Sequence, residues 1–438
     1  MKTSRGQFFW RLARSKFSIC QRKIGIGKGK LAGEQPPKVT LDEAILEEVL
    51  KKLNLDERTR LRNLSPQVLG VVNRIPLTLP FVLLRSNGCG DIELECDHMS
   101  VLLEYILVGQ SGFKVRNGAI VFTYEAAQSV ITSIVSRISG ITHLWLDSEW
   151  NGHIAQTIVE YFQTMNSGNS RVRLQMEQLT LVGSIRSSDI EWVSWLILLS
   201  RRSIHHLRFR HCRLHNKPQA VQFWSAVSQC QNLKGLQYEP CRLDKWSKSC
   251  VIEALENKCL RSLILTGIDG LRIADVTKMA TSSHLKELAV VGELLKPSAY
   301  AQKKALKMLE TVENLLIQVD STFSIDDAAE RIAILRAMRA LPGNGILEVI
   351  HVSRGTVSDT TKLISYWIRL ARDASREVKL KLEECSQERA DASVGRLLRK
   401  ARDVTRTAWT KSGVLLETDN GRLTVLDKRS WFGEHERS

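Results

Sequence analysis

Short stretches in which apolar and polar residues alternate recur through the middle of this chain. They are centred on Leu144/Leu146, Leu179/Leu181, Leu207/Phe209, Leu236/Tyr238, Leu263/Leu265, Leu288/Val290, Leu315/Ile317 and Leu347/Val349. Alternation of period two turns both members of a pair to one face of a strand. The segments between them place apolar residues at helical spacing, as in 219–229, 246–257 and 299–311, with Val221, Trp224 and Val227 as one stripe. One strand and one helix every 25 to 35 residues or so make a unit that cannot bury its apolar face alone and must stack on the next. The expected fold is therefore an α/β solenoid, a right-handed superhelix. The competing arrangement is a doubly wound sheet buried on both faces.

Two units carry a fuller pattern. Leu207-Arg-Phe209-Arg-His-Cys212-Arg-Leu214 and Leu236-Gln-Tyr238-Glu-Pro-Cys241-Arg-Leu243 share one spacing. It predicts that Cys212 and Cys241 fill the corner where the chain leaves each strand, with Leu214 and Leu243 covering the next layer. A doubly wound sheet gives no reason for that common offset. The spacing resembles the leucine-rich repeat, whose pattern carries Asn or Cys at the corner. Cys259, ahead of the Leu260–Leu265 run, is expected in the core. The nine cysteines show no paired metal-ligand spacing and suit a reducing compartment.

Upstream, 39–73 has a different texture. Thr40 or Asp42 can cap a helix with the stripe Ile45, Leu46, Val49, Leu50 and Leu53. Asp56 can cap a second helix containing Leu61 and Leu64, and 64–72 supplies a third apolar segment. Helices this short bury little surface unaided. The segment resembles an F-box: Leu41, Ile45, Leu46, Val49, Leu50, Leu53, Asp56, Leu61, Leu64 and Ser65 occupy that family's positions, whereas Asp42 replaces its usual Pro and the closing aromatic is absent. Followed by the repeats, the whole is similar to the F-box/leucine-rich-repeat receptors of ubiquitin ligases. That resemblance implies a non-enzymatic, cofactor-free substrate receptor. Its helices would dock on a Skp-type adaptor, which joins a cullin complex, through Leu41, Ile45, Leu46, Val49, Leu50 and Leu53.

Strand alternation selects the residues free to meet a target. With Leu207 and Phe209 inward, Arg208 and Arg210 point to the concave face. Gln237, Glu239, Trp145 and Ile264 share that parity, as do Asp147, Thr180, Val182, Thr266, Ala289, Val291 and Leu316. Trp145, Arg208, Arg210, Gln237, Glu239 and Ile264 are the candidate target-binding set, since Trp and Arg are enriched at binding hot spots. Register puts Arg210 beside Glu239, where an exposed ion pair contributes at most about 1 kcal/mol.

Charge alters the picture mainly at the start. The chain carries +16, and nine of its cations, from Lys2 to Lys30, precede the first acid, Glu34. A disordered basic tail, a mitochondrial presequence and a nucleic-acid arm all fit this leader. The last is disfavoured by the absence of an aromatic platform.

The expected organisation is a basic leader (1–37), an F-box-like helical module (38–80), a linker or degenerate leading repeats (81–140), the repeat array (141–352), and C-terminal helices with a hairpin cap (353–438). In the last part, 359–374 and 387–409 read as helices and 378–382 as a strand. Asp419-Asn420-Gly421 signals a type I′ hairpin. In 74–140, residues 81–84, 92–96 and 119–124 read as strands and 126–136 as a helix.

Chemistry is sparse. No phosphate-binding Gly-Lys-Ser/Thr loop occurs, and Gly25-Ile-Gly27-Lys-Gly29-Lys follows no strand. His205, His206, His211, Cys212 and His215 diverge in a strand and do not read as a metal site. No run of apolar residues reaches membrane length. The expectation is a non-enzymatic protein-binding chain of the cytoplasm or nucleus. The alternative is a leucine-rich scaffold whose N-terminal helices merely cap the array, delivered to mitochondria if the leader is a presequence.

Overall fold

The computed structural model describes residues 43–426, apart from 54–56, 59–60, 62–64, 76, 87–89, 108, 148–149, 167–173, 184–187, 257, 272, 280–284, 292–298, 320–324, 354, 384, 400–403 and 411–412. The chain forms two units, Met1–Lys52 and Leu53–Ser438. The leader, Leu41, Asp56 and Leu64 lie outside the described residues.

The first unit contributes one described helix, α1 (Glu43–Lys51). Glu43 opens it and Lys51 closes it, matching the helix dipole. Lys51 Nζ lies 2.7 Å from Glu47 and 3.4 Å from Glu48.

The second unit begins with helical residues at Glu57, Arg58 and Leu61, then α2 (Pro66–Arg74). Ser65 caps α2 by accepting from the Val68 N–H at 3.2 Å, and Pro66 follows where no N–H is needed. Next come β1 (Leu77–Ser86), β2 (Ile92–Cys96), a helical turn Met99–Val101 running into a π-helical segment Leu102–Ile106, β3 (Phe113–Arg116), β4 (Ala119–Phe122) and α3 (Tyr124–Val135).

Strand and helix then alternate: β5 (Ile138–Asp147), α4 (Asn151–Asn166), β6 (Gln175–Val182), α5 (Ile190–Leu199), β7 (His206–Cys212), α6 (Lys217–Ser228), β8 (Gly235–Pro240), α7 (Ser247–Leu255), β9 (Ser262–Leu265), α8 (Ile273–Met279), β10 (Glu287–Val291), α9 (Ala299–Leu309), β11 (Asn314–Val319), α10 (Ala328–Ala340), β12 (Ile346–Val352), α11 (Val357–Ala374), β13 (Glu377–Glu383) and α12 (Gln387–Leu398). The described chain closes with β14 (Arg406–Thr410), β15 (Gly413–Glu417) and β16 (Arg422–Leu426).

The described strands form one 16-stranded, mostly parallel sheet in the order β14-β15-β16-β13-β12-β11-β10-β9-β8-β7-β6-β5-β1-β2-β4-β3. From β5 to β13 every strand lies beside its predecessor, and each helix packs on the next. Because such crossovers share one hand, the helices fall on a single face. Burial agrees: Leu144, Leu179, Leu207, Leu236, Leu263, Leu288, Leu315 and Leu347 form one in-register ladder, all essentially buried. Each such leucine stabilises the fold by about 1.5–3 kcal/mol relative to leaving it in water. Most residues between them are only half-buried. A sequential strand order with one covered face is what a solenoid-like α/β fold requires, and it departs from a doubly wound sheet. Antiparallel strands finish both ends, β2–β4–β3 beyond β1 and β15–β14 beyond β16.

Several expectations need correction. Cys212 and Leu214 are buried, but Cys241 and Leu243 are exposed. At β7 the register shifts between Arg210 and Cys212, with His211 left-handed at φ 59°, which tucks Cys212 inward. The chain leaves β8 at Pro240 instead, and the Asp244 carboxylate fills that corner. It accepts from the Tyr238 hydroxyl (2.6 Å), the Ser247 hydroxyl (2.6 Å), and the N–H groups of Trp246 (2.8 Å) and Ser247 (3.1 Å). Cys259 is exposed, because it precedes β9. Val221 is also exposed, while Trp224 and Val227 are buried. The helix expected over 387–409 ends at Leu398, and Arg406–Thr410 is a strand. The hairpin is not type I′: neither Asn420 nor Gly421 has positive φ, and Thr418 and Gly421 close a wider loop. Gly421 is needed for close approach, since a Cβ there would lie 2.4 Å from the Ala371 carbonyl oxygen.

Candidate functional site

The uncovered face of the sheet carries the predicted target residues in register. One row runs Leu83, Trp145, Thr180, Arg208, Gln237, Ile264, Ala289, Leu316, Glu348 and Lys379, one residue per strand from β1 through β5 to β13. At about 4.8 Å per strand, Trp145 to Leu316 spans about 29 Å. Trp145, Arg208, Gln237 and Ile264 are all half-buried on this row, and the small side chains of Thr180 and Ala289 lie beneath their neighbours.

The row on one side is charged and self-compensating. Arg85, Asp147, Val182, Arg210 and Glu239 stand side by side. Arg210 Nε is 3.4 Å from a Glu239 carboxylate oxygen but lacks hydrogen-bond geometry, so the pair is a loose contact. Arg85 bonds Glu93 at 3.0 Å and Glu95 at 2.6 Å.

The other flanking row is aromatic: Phe81, His143, Gln178, His206 and Gly235. Phe81 meets His143 edge-on with centroids 5.2 Å apart and Trp145 at 6.4 Å, while His143 stacks on Trp145 at 5.9 Å. The His143 ring and the Thr180 hydroxyl are 3.0 Å apart. Burial pushes the His143 imidazole down to about 4, with Arg208 acting in the same direction. Burial and Arg208 likewise lower His206. Both rings are therefore neutral near pH 7. The His206 ring occupies the space a Cβ on Gly235 would fill, only 2.4 Å from Nδ1. Phe81, His143 and His206 are absent from the predicted set. Two of them were in view, since His143 and His206 have the same strand parity as Trp145 and Arg208.

Among the described residues no hydrogen bond or ion pair reaches the Arg208 guanidinium, and the Trp145 indole N–H has no acceptor. Burial lowers Arg208 from its ordinary range, opposed by the more distant Glu287. The far part of the central row is apolar, with Ile264, Ala289 and Leu316, until Glu348 forms an ion pair with Lys381.

The predicted adaptor residues divide. Leu46 and Leu50 are buried; Ile45 and Val49, one helical turn apart on α1, are 57% and 52% exposed; Leu53 is half-buried. Leu41 lies outside the described residues. No group of three or more His, Cys, Asp or Glu among the described residues is placed to hold a metal ion. No described helix is long and apolar enough to cross a membrane. Neither a protein-family model nor any curated protein matches the chain, so its function must be argued from this sheet face and this helix.

Proposed function

We propose that this chain is a substrate-recognition subunit of a Skp–cullin–F-box type ubiquitin ligase, built as a divergent F-box followed by leucine-rich-repeat-like units. The observation that carries the adaptor half is the exposed pair Ile45 and Val49. Two β-branched or large aliphatic side chains at i and i+4 on an amphipathic helix, with Leu46 and Leu50 turned inward, form an anchor for a groove on a partner. The uncovered sheet face supplies the second end, a row about 29 Å long with aromatic, basic and aliphatic parts. Such a receptor contributes no reacting group. It raises the effective concentration of its target beside the ubiquitin-charged enzyme.

The test is co-purification of the full-length chain with a purified Skp-type adaptor, beside the Ile45→Asp/Val49→Asp variant. Both positions are exposed, so the variant should keep the parent circular dichroism and unfolding midpoint while losing the adaptor. Failure of the folded parent chain to retain the adaptor would leave a leucine-rich scaffold without a ligase role.

A further inference from the structure

The uncovered face holds a half-buried cation, Arg208, that no described residue pairs. Asp147 and Glu239 offset Arg85 and Arg210 along their row, and the two histidines of the aromatic row are neutral near pH 7. Arg208 has neither ion pair nor hydrogen bond among the described residues while being half-buried. Lys379, also unpaired among them, lies at the far end of the same row, and the exposed Glu287 of the flanking row acts on Arg208 without forming an ion pair. The row neighbours of Arg208, Thr180 and Gln237, offer no charge. Two strands away on the same row, with Thr180 between, stands the Trp145 indole, whose buried N–H has no acceptor. A planar guanidinium is a donor suited to an anion.

The apolar positions of the same row set a ruler. Ile264 is two strands beyond Arg208 and Leu316 four, which gives about 9.6 Å and about 19 Å. A polyproline II segment advances about 3.1 Å per residue with three residues per turn, so residues i, i+3 and i+6 lie on one side about 9.3 Å apart. That repeat matches two strand spacings. A β-extended segment turns i+3 to its other side, and an α-helix needs six or seven residues to cover the first step. A nucleic-acid backbone is disfavoured because this face also carries acids, Asp147 and Glu239 on the adjoining row and Glu348 further along the same row.

We infer that the uncovered face binds an extended, polyproline II-like segment of a partner protein, with an anionic side chain on Arg208 and apolar side chains three and six residues later on Ile264 and Leu316. This rests on the reading of that face as the target surface. The shared chemistry of the anchor is an anion, supplied by a carboxylate or by a phosphorylated serine.

The probe is a fluorescent heptapeptide, Glu-Pro-Ala-Leu-Pro-Ala-Leu, titrated onto the full-length chain. Three companions complete the set: phosphoserine for Glu, Gln for Glu, and a spacing variant with both Leu moved one residue closer. The Glu or the phosphoserine peptide should bind at least tenfold more tightly than the Gln and misspaced peptides, and which is tighter identifies the natural anion. Arg208→Gln should bring that peptide down to the Gln level and leave the Gln peptide unchanged. Arg208→Gln should also keep or raise the unfolding midpoint, because it removes a charge with no partner. Equal binding of the Glu, phosphoserine and Gln peptides, or no binding by any, overturns the inference. Equal binding that Ile264→Asp still weakens would retain the face as a target surface and discard only the anionic anchor. Indifference of every peptide to Ile264→Asp would remove the target surface as well.

Discussion

Asp244 is the residue whose loss should most damage the middle of the array. It is 4% exposed and accepts four hydrogen bonds, two from hydroxyls and two from the first amides around α7. The Ser247 hydroxyl in turn accepts from the Trp224 indole at 2.8 Å, tying α6 to α7. Burial, reinforced by Asp244, raises the Tyr238 pKa, so its hydroxyl remains a donor. Asp244→Ala strands the buried Tyr238 hydroxyl and the Ser247 donors, at about 1–3 kcal/mol for each buried group left without a partner. The carboxylate's own desolvation offsets part of the gain from its bonds, so the net loss is on the order of 3–5 kcal/mol. Tyr238→Phe, which removes one bond of the four, should cost about 1–2 kcal/mol. The double variant should cost less than the two together, since both act through one network. Stacked repeats open locally, so hydrogen exchange is the sharper assay. Protection of the Trp246 and Ser247 amides should fall by two to three powers of ten, at about 1.4 kcal/mol per power of ten. A loss below about 1 kcal/mol, or unchanged protection at those amides, would refute the assignment of this corner to Asp244.

Two further outcomes follow from burial. His143 sits at about 4 in the folded chain against about 6.5 unfolded. The folded state therefore binds fewer protons across that window, and stability present above pH 6.5 is lost as the pH falls toward 4. The shift alone corresponds to about 3 kcal/mol; the ring is partly exposed, and screening reduces this to about 1–2 kcal/mol. His143→Gln should flatten the fall of the urea midpoint between pH 6.5 and 4, and parallel curves for the two proteins would contradict this. For the thiols, burial pushes Cys96 up to about 11 and Cys230 up to about 12, and raises Cys212 further. Iodoacetamide at pH 8 should label exposed Cys241 and Cys259 in the folded chain and reach Cys212 only on unfolding, read by peptide mass spectrometry; equal labelling of Cys212 and Cys241 would count against the bulged β7 corner.

The repeating strands were legible because a parallel sheet covered on one side imposes a strict period of two, and leucine fills nearly every inward position next to the preceding strand. Register followed from that alone, which is why Arg210 meets Glu239. The corners were not legible. The sequences after Phe209 and Tyr238 share a spacing, yet a single left-handed residue, His211, sends the first cysteine inward, and nothing in the pattern marks that bulge. A buried tyrosine does need a partner for its hydroxyl, so the inward parity of Tyr238 pointed to a nearby acceptor, and Asp244 was the available acid. The end strands were hidden for another reason. Arg406–Thr410 has no apolar alternation because it is the edge of the sheet, with Trp409 64% exposed. Gly421 suggested a turn that needs positive φ, whereas its role is to admit the α11 backbone. On α1 the apolar stripe was legible, but its division into buried and exposed members depends on tertiary packing.

The two faces of this sheet answer to different requirements. The helix side carries a continuous leucine ladder beside a second buried row of mixed apolar residues, and each substitution there should change stability before anything else. The uncovered side is a parallel surface without a second layer, although parallel sheets are ordinarily covered on both. Charges pair at Arg210–Glu239 and at Glu348–Lys381, whereas Ile264 and Leu316 are half-exposed and Arg208 has no ion pair among the described residues. Folding gains little from holding an unpaired guanidinium in a partly desolvated place. An acidic group from outside would supply the direct partner that no described residue gives it. Fold and recognition are therefore separable in this molecule: substitutions at Arg208 and Ile264 should move binding with little effect on unfolding, and those at Leu207 and Leu263 should do the reverse.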